Sequence, residues 1–378
     1  MVGITQVSVR TMLVVLLALA LQLWASTPLL AQTVIATVPV GRSPEAVAVN
    51  EKTNRIYVTN SFSSTVSVID GETNVVTTVP VGVGPFAVAV NEKTNRIYVG
   101  NAGVGGISGS TVSVIDGETN VVTTVPVGVG PIGVAVNEKT NRIYVTNIGD
   151  NTVSVIDGET NAVTTVPVGA VPRAVAVNEK TNRIYVADGI FGNTVSVIDG
   201  KTNVVTTVPV GVSPIAVAIN EKTNRIYVAN LVDNTVSVID GETNVVTTVP
   251  VGTDPRAVAV NEKTNRIYVT NSFNNTVSVI QDSSCLGTGE TRLRGRVRTA
   301  ADPTGIPDVI VTLTGPGGCQ DATTTNATGH YIFRTLGSGI YTVIPEKDGC
   351  AFTPPSRMVT LEEADPQANF SGTCPDSE

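Results

Sequence analysis

The tripeptide Pro-Val-Gly recurs at residues 39, 80, 126, 167, 209 and 250, at intervals of 41, 46, 41, 42 and 41 residues. A unit of that length cannot bury both of its own faces, so it must stack on copies of itself. In the first copy the unit reads AVAVN at 46–50, RIYVTN at 55–60, TVSVID at 65–70 and VVTTVPV at 75–81. These segments are short, β-branched and of period two, and Asn, Asp, Gly and Thr separate them, as in four strands joined by tight turns. Four strands per repeat match one blade of a β-propeller. Ile56 and Val58 fall on one side of their strand and Tyr57 and Thr59 on the other. Both faces are therefore built for burial, as in a blade packed between two neighbours.

The ends of the array carry a topological expectation. The sixth copy stops after residues 276–280, and residues 33–41 (TVIATVPVG) align without gaps with 74–82 (NVVTTVPVG). The fold expected is all-β, a six-bladed β-propeller over residues 32–281, closed by an N-terminal strand that completes the last blade and removes its open edge. The motif Ile-Tyr-Val-Thr-Asn at 56–60, 143–147 and 267–271, with variants in the other copies, resembles the YVTN-family β-propeller repeat over residues 33–281. That resemblance implies an exported or surface-layer-like protein and a structural likeness to lactonase-type propellers. Members often have seven blades, whereas six units are counted here.

Residues 1–31 read as a signal peptide. Arg10 is the single charge, residues 12–25 form an almost unbroken apolar run of 14, and Ala31 offers a cleavage site. The run is shorter than the ~20 residues that span a bilayer, so the mature chain is expected to have no membrane span and to be secreted, periplasmic or at the cell surface. The formal charge of −8, with Lys and Arg spread along the repeats, argues against nucleic acid as a partner.

Beyond a linker at 282–290, a second pattern of short strands runs over 291–374 and predicts a small β-sandwich. Gly295, Val297, Ile306, Pro307, Val309, Thr324, Asn326, Gly329, Tyr331, Phe333, Leu336, Gly339, Tyr341 and Val343 resemble the carboxypeptidase regulatory-like, prealbumin-type domain. That implies a spacer or adhesive module. The chain's four cysteines, one in the linker and three in the module, allow three connectivities; the pairing favoured is Cys319 with Cys350 and Cys285 with Cys374, because the second bond would tie the ends of the module together.

Signs of chemistry are sparse. His330 is the one histidine and has no ligand pattern around it, and no phosphate loop or nucleophile elbow occurs. Asp70, Asp116, Asp157, Asp199 and Asp240 precede turn residues and read as turn formers. The copies differ after Val-Gly and in the loops 61–64, 102–110, 148–151, 188–193, 231–234 and 272–275. Alternating strand direction puts all of these at one sheet edge. The candidate binding face comprises Arg42, Phe62, Asp150, Asp188, Phe191, Asp233, Asp254 and Phe273, with Glu45, Phe86, Ile132, Arg173, Ile215 and Arg256 ringing a channel mouth. In a six-fold ring Glu45 would face Arg173, Phe86 would face Ile215 and Ile132 would face Arg256.

The function expected is that of a monomeric, non-enzymatic binding protein for a protein, peptide or surface glycan, with no cofactor and no metal. A structural surface-layer component and a lactonase-like hydrolase are the alternatives. Trp24, the one tryptophan, lies in the leader. Purified exported protein should accordingly show no indole fluorescence and no thiol-reagent labelling without reductant.

Overall fold

In the computed structural model the described residues are 34–189, 192–282, 292–299, 305–315, 319–334, 336, 339–361 and 366–374. Each repeat folds as an antiparallel meander paired in chain order. The first sheet is β1 (Pro44–Asn50), β2 (Arg55–Asn60), β3 (Thr65–Asp70) and β4 (Val76–Pro80); the second is β5 (Pro85–Asn91), β6 (Arg96–Asn101), β7 (Thr111–Asp116) and β8 (Val122–Pro126). The third is β9 (Pro131–Asn137), β10 (Arg142–Asn147), β11 (Thr152–Asp157) and β12 (Val163–Pro167); the fourth is β13 (Pro172–Asn178), β14 (Arg183–Asp188), β15 (Thr194–Asp199) and β16 (Val205–Pro209). The fifth is β17 (Pro214–Asn220), β18 (Arg225–Asn230), β19 (Thr235–Asp240) and β20 (Val246–Pro250). The sixth has three strands among the described residues, β21 (Pro255–Asn261), β22 (Arg266–Asn271) and β23 (Thr276–Gln281).

The turns follow from side chains that fold back on the backbone. Asp70 Oδ1 accepts from the Glu72 and Thr73 amides and from Thr73 Oγ1, at 3.1, 2.8 and 2.8 Å, and these donors hold its carboxyl below the usual range. Asn54 and Asn74 adopt positive φ in the two tight turns of the first sheet, as do their counterparts in the others. At the opposite edge Asn101 Nδ2 donates to Thr111 Oγ1 and Ser113 Oγ, both at 3.0 Å. A Cβ on Gly82 would come within 2.5 Å of that nitrogen, which accounts for the glycine of the repeated tripeptide.

Stacking buries the alternating faces. Tyr57, Val66, Val68 and Val79 of the first sheet enclose Ile97, Val99 and Ile115 of the second, and four further clusters repeat the arrangement along the array. A fully buried Val or Ile contributes ~1.5–3 kcal/mol relative to exposure. The first strands of consecutive sheets, β1, β5, β9, β13, β17 and β21, lie side by side. A polar ladder accompanies them. Asn50 Nδ2 donates to Asn95 Oδ1 at 2.9 Å, the Glu51 amide to Glu92 Oε1 at 2.6 Å, and Arg55 to the Gly117 carbonyl. The later joints repeat it, for example Asn91–Asn141, Glu92–Glu138 and Arg96–Gly158.

The array does not show the closure expected from the sequence. Residues 34–39, in a separate unit (Met1–Pro39), adopt no strand, and Val34 and Ile35 are exposed. Val47 and Val49 of the first sheet and Tyr268, Val277 and Val279 of the last are also exposed, where their counterparts inside the array are covered. Among the described residues no helix is long and apolar enough to cross a membrane.

The C-terminal strands are β24 (Leu293–Thr299), β25 (Ile310–Thr314), β26 (Gln320–Thr324), β27 (His330–Phe333), β28 (Gly339–Glu346), β29 (Ala351–Thr353), β30 (Arg357–Leu361) and β31 (Phe370–Thr373). They form two sheets, β27-β24-β31-β29 and β26-β25-β28-β30, that share one core including Leu293, Val311, Tyr341 and Phe370. The disulfide pairing differs from the one favoured above. Cys350 bonds Cys374, because the antiparallel register of β29 and β31 sets Ala351 opposite Thr373 and brings the adjoining cysteines to a Cα separation of 4.2 Å. The expected Cys319–Cys350 and Cys285–Cys374 bonds are both excluded by it. Cys319 is itself disulfide-bonded, and Cys285 lies outside the described residues.

At the last joint the ladder changes. Asp282 stands where the other copies have glycine, and its buried carboxylate accepts from Asn220 Nδ2 at 2.8 Å and Thr223 Oγ1 at 2.6 Å while pairing with Arg225 at 3.3 Å. The same guanidinium reaches Asp321 of the C-terminal module at 3.4 Å. Arg225→Ala should cost on the order of 3–5 kcal/mol by stranding a buried charge. Asp282→Gly, which returns the joint to the repeat, should cost about 1 kcal/mol, and the double variant should recover most of the loss in urea unfolding. Equal losses in the two single variants would refute this assignment.

Candidate functional site

The loops that vary between copies do share one edge. The residue after each second strand donates to the link before the first strand of the same sheet: Ser61 to Ser43, Ala102 to Gly84, Ile148 to Gly130, Gly189 to Val171, Leu231 to Ser213 and Ser272 to Asp254. The link after each fourth strand returns to the same loop, as Val81 does to Ser64 and Val168 to Asn151.

At this edge every first strand carries a β-bulge. Pro85 pairs with Asn101 and Ala87 with Gly100, leaving Phe86 without a partner in the ladder. The same shift frees Ile132, Arg173, Ile215 and Arg256, and in β1 the register breaks between Pro44 and Val47, around Glu45. A bulge re-aims one side chain out of the alternation. Six positions, most of which differ between copies, thus sit on a distortion that all copies share, and the preceding proline is its one local sign in the sequence.

The charges at this edge differ in how far they are engaged. Glu45 Oε1 accepts from Ser43 Oγ at 3.0 Å and Ser61 Oγ at 3.1 Å. Arg256 Nε pairs with Asp254 at 2.9 Å and donates to Ser272 Oγ at 3.1 Å; Ser272 and then Arg256 keep the Asp254 carboxyl below its usual range. Arg173 lies half-buried, its stem against Gly189, and its guanidinium has no hydrogen bond or ion pair among the described residues. The facing pairs expected across a ring are not seen as contacts. Asp150 and Asp233 build loops, accepting from the Val129 and Val212 amides at 2.6 and 2.5 Å. The Arg42 amide donates to Ser63 Oγ at 2.8 Å. Phe62, Phe86 and Phe273 are exposed, at 61, 44 and 79 %. Phe191 lies outside the described residues. His330 opens β27, with Nδ1 2.9 Å from Thr328 Oγ1.

Asp188 is not a surface acid. It replaces the asparagine that ends the second strand in the other copies, is fully buried, and accepts through Oδ2 from Thr194 Oγ1 at 2.8 Å and Ser196 Oγ at 2.9 Å, reversing the asparagine's hydrogen bonds. Its Oδ1 has no partner among the described residues, and burial pushes its pKa up to about 6. The alignment of copies held this signal, an acid where five amides stand. The link of the same sheet holds Val171 at φ 55°, where the other copies place Gly, Ser or Asp. A left-handed β-branched residue costs roughly 1–2 kcal/mol. Val171, Arg173 and Asp188 concentrate the departures from the repeat in the fourth sheet.

With burial raising its pKa to about 6, Asp188 keeps its proton in the folded chain to a higher pH than in the unfolded one, where a free aspartate titrates at ~3.9. Stability should therefore fall by on the order of 2–3 kcal/mol as pH rises from about 4 to about 7. Asp188→Asn should flatten that slope in denaturant titrations and be the more stable form at neutral pH.

The chain is similar in structure to a solved chain titled Kuenenia stuttgartiensis Hydrazine Synthase, with a TM-score of 0.56 and 20% identity over 66% of this chain and 86% of that one. At that identity the likeness concerns the fold alone, and with the repeated four-stranded sheets it fits a β-propeller. No family model and no curated protein matches the chain.

Proposed function

We propose that this chain is an exported binding protein whose propeller presents the variable loop edge to a peptide or other amphiphilic partner bearing a carboxylate. The observation that carries the reading is the recurrent bulge. It leaves Glu45, Phe86, Ile132, Arg173, Ile215 and Arg256 outside the strand ladder of a scaffold that is otherwise repeated with little change. Apolar side chains and two arginines at one edge suit such a ligand, since the guanidinium presents a fork to a carboxylate. Binding is favoured over hydrolysis because Asp150, Asp233 and Asp254 are engaged in building loops and Asp188 is buried.

In this reading the six sheets are blades of the YVTN type, and residues 33–40, aligned with the other fourth strands, complete the sixth. The leader directs export, and the C-terminal module, of the carboxypeptidase regulatory-like kind, acts as a spacer. A structural role in a surface layer is the second reading, favoured by the uncovered faces at the two ends of the array.

The test is to identify by mass spectrometry what co-purifies with the natively exported protein and to titrate that species by calorimetry. Arg173→Ala should weaken binding by roughly tenfold or more. Arg256→Ala should do less, because Arg256 is already paired with Asp254. Unchanged affinity in the double variant, at an unchanged melting temperature, would remove the bulge residues and leave the loops bearing Phe62 and Phe273.

A further inference from the structure

The uncovered faces of the first and sixth sheets are the two halves of a contact that the chain makes five times. On the sixth, Tyr268, Val277 and Val279 stand exposed at the positions where Tyr57, Val66 and Val68 receive the second sheet. On the first, Val47 and Val49 stand exposed at the positions from which Val88 and Val90 pack onto the first sheet. The polar ladder is open in the same sense. Asn261 Nδ2, the Glu262 amide and the Nη groups of Arg266 have no acceptor among the described residues, while Asn54 Oδ1, the Glu51 carboxylate and the Gly71 carbonyl have no donor.

We propose that a second copy of this chain seats its first sheet on the sixth sheet of its neighbour, head to tail, and lays its residues 33–40 along the free edge of β23. The proposal rests on reading those residues as a fourth strand. The complement of each face is found at the other end of the same chain, and each internal joint is a working example of the contact. In one copy the five joints leave both faces exposed. The partner departs from the monomer expected from the sequence.

The joint continues the repeat without a break, because every fourth strand leads directly into the first strand of the next sheet. In the fifth sheet Val236 pairs with Val249 and Ile239 with Val246. The same register sets the incoming Val38 opposite Val277 and Ile35 opposite Ile280. Val40 then donates to the Asn275 carbonyl, as Val251 does to Asn234 at 3.0 Å. Beside that edge lies a cavity of about 430 Å³, walled by Val238, Thr247 and Val249 of the fifth sheet, Ile280 of the sixth and Ile344 of the C-terminal module. Ile35 enters it as Val246 packs against the fourth sheet. The contact is heterologous, so copies add one after another or close into a ring.

The experiment is light scattering on the full exported protein across a concentration series. Species larger than one chain, growing with concentration, are expected. Val49→Asp spoils the head and Val277→Asp the tail, so each variant alone should be monomeric. An equimolar mixture should form a dimer and stop, since one intact head and one intact tail remain. Wild-type protein that is monomeric at every concentration overturns the proposal. If that monomer also loses thermal stability on deletion of residues 32–38, the strand completes its own sixth sheet, and only the second copy is wrong. Should the Asp variants fail to fold, Asn261→Ala with Arg266→Ala, both exposed, should weaken association roughly tenfold, and unchanged association again overturns the proposal.

Discussion

In the repeat array each sheet is held to the next by an asparagine pair, a backbone amide on a glutamate and an arginine that reaches a turn carbonyl or, at the last joint, Asp282, set beside a layer of Val, Ile and Tyr. The polar contacts are directional, so they fix how far one sheet is turned against its neighbour, while the apolar layer supplies most of the stabilisation. Because four joints use the same residues and the fifth differs only in Asp282, the course of the array is nearly one local geometry applied five times. The edges follow from it: the ladder belongs to the tight-turn edge, and the opposite edge takes no part in it.

That separation lets the loop edge diverge. The buried asparagines, the glycines beside them and the hydrogen bonds between loop and link hold the backbone of this edge. The bulges then present side chains that no joint depends on. The fourth sheet goes further, keeping a left-handed valine and a buried carboxylate oxygen with no partner among the described residues within two residues in sequence or register of Arg173. Strain of this kind persists where surrounding structure over-determines it, and it collects where proteins bind and react.

Much of the array was legible because its strands are bounded by residues with their own turn chemistry; the segment read at 55–60 is the strand Arg55–Asn60. Other features depend on contacts distant in sequence. Gln320–Thr324, Ala351–Thr353 and Phe370–Thr373 are short or polar and carry no clear alternation, and the last lies parallel to β24 across some 70 residues. The register of β29 on β31 chose the disulfide, and no spacing of cysteines encodes that. Counting copies gave six units, but the turn from sheet to sheet is set in the joints, so whether the ends meet was not written in the repeat. At the candidate site the shared edge was legible from alternating strand direction. The bulges were not, and of Asp188 only its departure from the repeated asparagine was, since a bulge and a side chain's burial depend on how a strand end meets its neighbour.

The replacement of a glycine by Asp282 has a mechanical side. Through Arg225 the C-terminal module grips the fifth sheet, whereas the polypeptide enters the module from the sixth. A pull on the module is thus shared between two adjacent sheets. Peeling the sixth away requires separating two ions as well as sliding valines, so under load the terminal joint yields later than its apolar contacts alone would allow.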